Sequence, residues 1–94
     1  MVIGVCTIHL SLPRNHSLKD KRGALKPVIH QLRQEFNVSV AEVDRQDVWQ
    51  SATIAVATVS TDDGYAHGLL EKVVGWIERT QPHLFVSDWR IEIL

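Results

Sequence analysis

The stretch FNVSVAEVDRQDVWQSATIAVATVS, Phe36 to Ser60, decides the architecture. VSVAEVD (38–44) and SATIAVATVS (51–60) are rich in valine, threonine and alanine and free of proline, while RQDVWQ (45–50) between them has the polar character of a connection. Two strands of a hairpin, joined by a loop of several residues, are the reading. Because the hairpin lies mid-chain, the segments on either side decide what covers it.

Upstream, VIGVCTIHLSL (2–12) is β-branched and apolar. From Cys6 it alternates, with Cys6, Ile8, Leu10 and Leu12 on one face and Thr7, His9 and Ser11 on the other, until Pro13 ends it. Ser17 followed by Asp20 forms a capping-box pattern in which Asp20 stands where glutamate is usual. Leu18, Leu25, Val28, Ile29, Leu32 and Phe36 then recur on one helical face as far as Asn37. Pro27 falls inside this helix, where it removes a hydrogen bond to the Gly23 carbonyl. It lies opposite the apolar stripe, so a bend convex to solvent in one continuous helix is expected.

Downstream, TDD precedes GYAHGLLEKVVGWIERT (64–80), whose Ala66, Leu69, Leu70, Val73 and Ile77 make an apolar face and whose aspartates suit a helix N-terminus. After Pro82, LFVSDWRIEIL (84–94) alternates as a last strand, with Phe85, Trp89, Ile91 and Ile93 expected on one face and Asp88, Arg90 and Glu92 on the other. The order is therefore β-α-β-β-α-β. It predicts one α+β domain over residues 1–94, a ferredoxin-like four-stranded antiparallel sheet with two helices on one face and the first and third strands central.

At 94 residues, 45 % of them hydrophobic and 22 % charged, the chain suffices for one core and not two. A formal net charge of −1 excludes attachment to nucleic acid by bulk charge, so any basic site is local. One cysteine excludes an intrachain disulfide and the paired-cysteine zinc frameworks. No apolar run approaches the ~20 residues of a membrane span, and MVIGVCTIHLSLP lacks the basic start and cleavage site of a signal peptide. A soluble cytoplasmic protein without membrane contact is expected.

Lys19, Arg22, Lys26, His30 and Arg33 follow spacings of three and four and form a ridge along one flank of the first helix, which Arg14 and His16 extend towards its N-terminus. Arg14, Lys19, Arg22, Lys26 and Arg33 are the candidate phosphate- or RNA-binding residues. The competing account is that such side chains cover apolar surface with their stems and aim their heads at water. Base stacking in the manner of RNA-recognition sheets is disfavoured, because GVCTIHL and TIAVATV carry no aromatic residue.

The third strand is apolar on both sides, with Ala52, Ile54 and Val56 on one and Ala55, Ala57 and Val59 on the other. In a two-layer fold one of these faces lacks helices, so Ala55, Ala57 and Val59, together with Trp49, are candidate interface residues for self-association through the open face. Trp49 itself can close the end of the core or anchor an interface; the core is the favoured reading.

No catalytic constellation emerges. Cys6 alternates with core residues and reads as structural. The five histidines show no ligand spacing, and Glu42, Asp44 and Asp47 read as a solvated turn rather than a cation site. Neither a metal nor another cofactor is expected.

HSLKDKR (16–22) and the hairpin stretch resemble the two signature stretches of the bacterial YlxP-like family, domain of unknown function 503, with a likeness that spans nearly the whole chain. The resemblance implies a ferredoxin-like fold and no established activity. Members are often encoded near a translation initiation factor and ribosome-binding factor A, which implies by association a role around the ribosome; Gly23 and Pro27 depart from the commoner pattern. The leading expectation is thus a non-enzymatic adaptor in translation or ribosome maturation that contacts ribosomal RNA or a ribosomal protein. A ligand-binding regulatory module acting as a dimer is the alternative. An acylphosphatase-like hydrolase ranks below both, since LPRNHSLKDKR lacks that family's glycine-containing phosphate loop.

Overall fold

The computed structural model describes residues 1–94 and has the elements β1 (Val2–Ser11), α1 (Leu18–Glu35), β2 (Ser39–Asp44), β3 (Ser51–Ser60), α2 (Asp63–Thr80) and β4 (Phe85–Ile93). The four strands form one antiparallel sheet in the order β2-β3-β1-β4, with β3 and β1 central as the sequence order requires. This is the ferredoxin-like arrangement.

The alternation in β1 sets the two sides of the sheet. Cys6, Ile8, Leu10 and Leu12 are buried beneath the helices, beside Ala52, Ile54 and Val56 of β3 and Val40 of β2. From above, α1 contributes Leu25, Val28 and Leu32, and α2 contributes Leu70, Val73, Val74 and Ile77. Phe36 and Trp76 meet edge to face, ring centroids 6.4 Å apart, where the two helices approach. Gly4 lets α2 sit low on β1, because a Cβ there would lie 3.0 Å from Leu70 Cδ1.

Pro27 does not break α1, which runs unbroken from Leu18 to Glu35 with both Pro27 and Gly23 on its exposed side. The helix ends slightly before Asn37: Phe36 is its C-cap, its amide donating to the Leu32 carbonyl at 3.0 Å.

One expected strand face is corrected. Ile8 pairs with Trp89, but the register then slips so that Leu10 faces Val86 and Ser11 faces Phe85; Ser87 is the extra residue of a bulge. One inserted residue reverses every side chain beyond it. Phe85 accordingly leaves the side shared by Trp89, Ile91 and Ile93 and stands 59 % exposed, and Val86 packs against the core instead.

Candidate functional site

The basic helix begins with a cap that uses its own acid. Ser17 Oγ accepts the Asp20 amide at 3.0 Å, and the Asp20 carboxylate accepts the His16 amide at 2.9 Å. An aspartate arm is shorter than a glutamate arm, and here it serves the residue before the cap. Two main-chain donors at this helix start are thereby occupied by the chain itself, which leaves fewer free amides for an anion.

Arg14, Lys19, Arg22, Lys26 and Arg33 are all exposed, and so is His30 between the last two. None of the first four enters an ion pair; the three in the structure are Lys21 with Glu42, His67 with Glu71, and Arg90 with Glu92. Arg33 differs, since its Nη2 donates to the Val40 carbonyl at 2.7 Å and ties the end of the ridge to β2. The free cations are therefore those at the N-terminal two-thirds of the ridge. Arg14 sits in a loop braced from behind: Gln50 Nε2 donates to the carbonyls of Pro13 and Asn15 at 3.2 Å each, and Asn15 Nδ2 donates to the Trp49 carbonyl at 3.2 Å.

Lys21 is the residue that sequence reasoning passed over. On helical spacing it lies at the edge of the apolar stripe of α1, and it is 2 % exposed. Its Nζ donates to the Arg45 carbonyl and lies 2.7 Å from Glu42 Oε2. That oxygen is buried and makes no aligned hydrogen bond, so the contact is an ion pair without hydrogen-bond direction. Arg45 has a left-handed φ of 60° and its carbonyl also accepts the Val48 amide at 3.0 Å, so Lys21 holds the strained corner of the β2–β3 connection against α1. A lysine among helical core positions was the available signal; its partners lie 21 and 24 residues away and appear only in the fold.

The open side of the sheet is less apolar than β3 alone suggests. Ala55, Ala57 and Val59 face Thr7, Val5 and Ile3 across β1, and Val59 is 64 % exposed. At the other end of the face Asp44, Thr53, His9 and Asp88 form a row across all four strands, with His9 Nδ1 3.0 Å from Thr53 Oγ1. These four, with Thr7, Val43 and Arg90, line a shallow depression of about 380 Å³. Trp49 is not part of this face. It lies in the loop before β3, 52 % exposed, so the expectation that it closes the core is corrected: residues 45–50 are all exposed, and the loop is tied to its surroundings through Gln50 and the Arg45 carbonyl while the indole stays in solvent. Roughly 26 Å of strand separates Ser51 from Val59, so Trp49 and Val59 do not share a compact patch.

Cys6 is fully buried, and burial pushes its thiol up to about 11. Glu42 and Asp44 fall on opposite sides of the sheet, because a bulge at Val43 intervenes, so the acidic residues of this region are not gathered around one point. No helix is long and apolar enough to cross a membrane.

Comparison with known proteins agrees with this architecture. A solution structure of a de novo designed protein with a ferredoxin fold superposes with a TM-score of 0.58 over 100 % of this chain and 84 % of the designed one, at 11 % identity, a likeness of fold alone. The uncharacterized protein YlxP of Bacillus subtilis (strain 168) is 36 % identical over 62 residues, 66 % of this chain and 67 % of its own length. The family model described as "Protein of unknown function (DUF503)" matches residues 3–91, and to that family this chain belongs.

Proposed function

We propose that this protein is a small non-enzymatic adaptor that docks on the phosphate backbone of structured RNA, in translation or ribosome maturation. The observation that carries the reading is the set of exposed cations Arg14, Lys19, Arg22 and Lys26, unpaired in a chain whose net charge is −1. A negative molecule that keeps four neighbouring cations free of its own carboxylates has a local surface suited to polyanions. Neighbours on the ridge are spaced by about 5 to 6 Å, a distance compatible with successive phosphates.

Binding to ribosomal RNA measured across a salt series tests this. With about four phosphate contacts, log affinity is expected to fall against log salt with a slope of roughly −3 to −4. The pair Arg22→Glu and Lys26→Glu is expected to flatten that slope by about 2. Unchanged affinity in that variant would remove the ridge from the account, and association that survives nuclease would point to a ribosomal protein instead.

The depression on the open face favours a second reading, a ligand-binding module. Its donors (Arg90, Thr7) and acceptors (Asp44, Asp88) around the His9–Thr53 contact suit a small zwitterion. A thermal-shift screen of amino acids and nucleotides checks it, and no stabilisation by any of them counts against it.

A further inference from the structure

We propose that the free edge of β4 pairs with β4 of a second copy, antiparallel about a two-fold axis through Ile91, to make one continuous eight-stranded sheet. The two edges of the sheet are unlike. β2 is six residues long, bulged at Val43, and has Arg33 hydrogen-bonded to its Val40 carbonyl. Such features blunt an edge. β4 has nine residues and no proline or lysine, and beyond the bulge at Ser87 it runs regularly from Asp88 to Ile93.

Its main-chain directions are fixed by β1. Leu94 donates to the Ile3 carbonyl at 2.8 Å, so residues in step with Leu94, namely Glu92 and Arg90, turn their main-chain groups inward. Trp89, Ile91 and Ile93 turn theirs outward, unpaired. Their side chains share the helix side of the sheet, where Trp89 remains 39 % exposed.

The side chains choose the register. A two-fold axis normal to the sheet keeps each residue on its own face, so pairing is centred on a residue. Centred on Arg90, it sets Arg90 against Arg90 and Asp88 against Glu92; centred on Glu92, it sets Glu92 against itself. Both juxtapose like charges. Centred on Trp89, it opposes Asp88 to Arg90 but runs the ladder into the Ser87 bulge of each copy. Centred on Ile91, it joins Trp89 to Ile93 and Ile91 to Ile91 through outward main-chain groups, clear of both bulges. It also sets Arg90 opposite Glu92 of the second copy, twice, in the closer-spaced pairs. Within one chain Arg90 Nε already lies 3.4 Å from Glu92 Oε1, the side chains 76 % and 52 % exposed, so pairing exchanges the solvated contact of each copy for one of two across the edge. The occupant is a second copy because the Arg90 and Glu92 charges of this edge are complementary to themselves in this register.

Sedimentation and light scattering over a dilution series test the pairing. The wild-type chain is expected at twice its 10.6 kDa mass. Arg90→Glu, which opposes two glutamates at each contact, is expected to raise the dimer dissociation constant by about tenfold or more. The double variant Arg90→Glu with Glu92→Arg is expected to restore it. Val59→Lys, on the open face away from the edge, is expected to leave the dimer intact. Both charge positions are exposed, and circular dichroism verifies that each variant is folded. A monomeric wild type, a dimer indifferent to Arg90→Glu, or a charge exchange that fails to restore association would each overturn the proposal.

Discussion

Lys21 and Glu42 form the one ion pair in this fold that is shielded from water on the lysine side, with side chains 3 % and 25 % exposed. Removing the lysine alone leaves a carboxylate with a buried oxygen and no counter-charge, and takes one of two donors from the Arg45 carbonyl. Lys21→Ala is expected to cost about 2 to 3 kcal/mol in denaturant unfolding, less than a fully buried pair because Glu42 keeps some water. Lys21→Met with Glu42→Leu is expected to recover most of that loss, since neither charge then remains to be desolvated. Cys6 makes a different prediction. Its thiol is raised from 9.0 to about 11 in the folded chain by burial, so between those values the unfolded chain releases a proton that the folded chain retains. Stability is therefore expected to be unaffected by this group below about pH 9 and to be lost as pH rises towards 11, by an amount on the order of 2 to 3 kcal/mol. Comparing the alkaline stability curves of wild type and Cys6→Ala isolates the effect, and alkylation at neutral pH is expected to occur only on unfolding.

At the scale of elements, most of the fold was legible because each segment is locally consistent with its place. Strict alternation in β1, an apolar stripe in each helix and a proline-free hairpin all point to the same order of elements. Two strand details were not legible, and both are bulges. Nothing in VSD or EVD marks Ser87 or Val43 as the extra residue, because a bulge is selected by pairing with β1 or β3 and not by composition. Phe85 was misplaced for that reason alone. Of the candidate site, the ridge was legible from helical spacing, whereas the engagement of Arg33 by Val40 and of Lys21 by Glu42 required knowing that β2 runs beside α1. Pro27 lies inside one continuous helix, as the spacing of the apolar residues around it implies. It is exposed and leaves the Gly23 carbonyl without its helical donor. Pro27→Ala restores that donor and is expected to raise stability by roughly 1 to 3 kcal/mol, offset in part by the freer unfolded chain; a lower melting temperature would contradict it.

Over the whole molecule, the stability of the two layers is unevenly distributed. β1 is bonded on both sides along its length, by β3 and β4, and α2 lies across β1, β3 and β4 with five buried residues. α1 buries four, one of them Lys21, and contains Pro27 and the exposed Gly23 in its middle turns. Low local stability follows from few buried apolar contacts and broken main-chain hydrogen bonding. Native-state hydrogen exchange is therefore expected to show α1 and the 45–50 loop opening together at a lower free energy than β1, β3 and α2, because Lys21 couples that helix to the Arg45 corner. Lys21→Ala is expected to speed exchange in both segments of this unit by a common factor, and to speed α2 only through openings that also release α1. The helix that bears the basic ridge is then expected to open first, and on the proposed function a polyanion bound there is expected to slow exchange in α1 and the 45–50 loop together. If α1 proves as protected as β1 and α2 in the wild-type chain, the chain opens only as a whole and the ridge sits on a rigid surface.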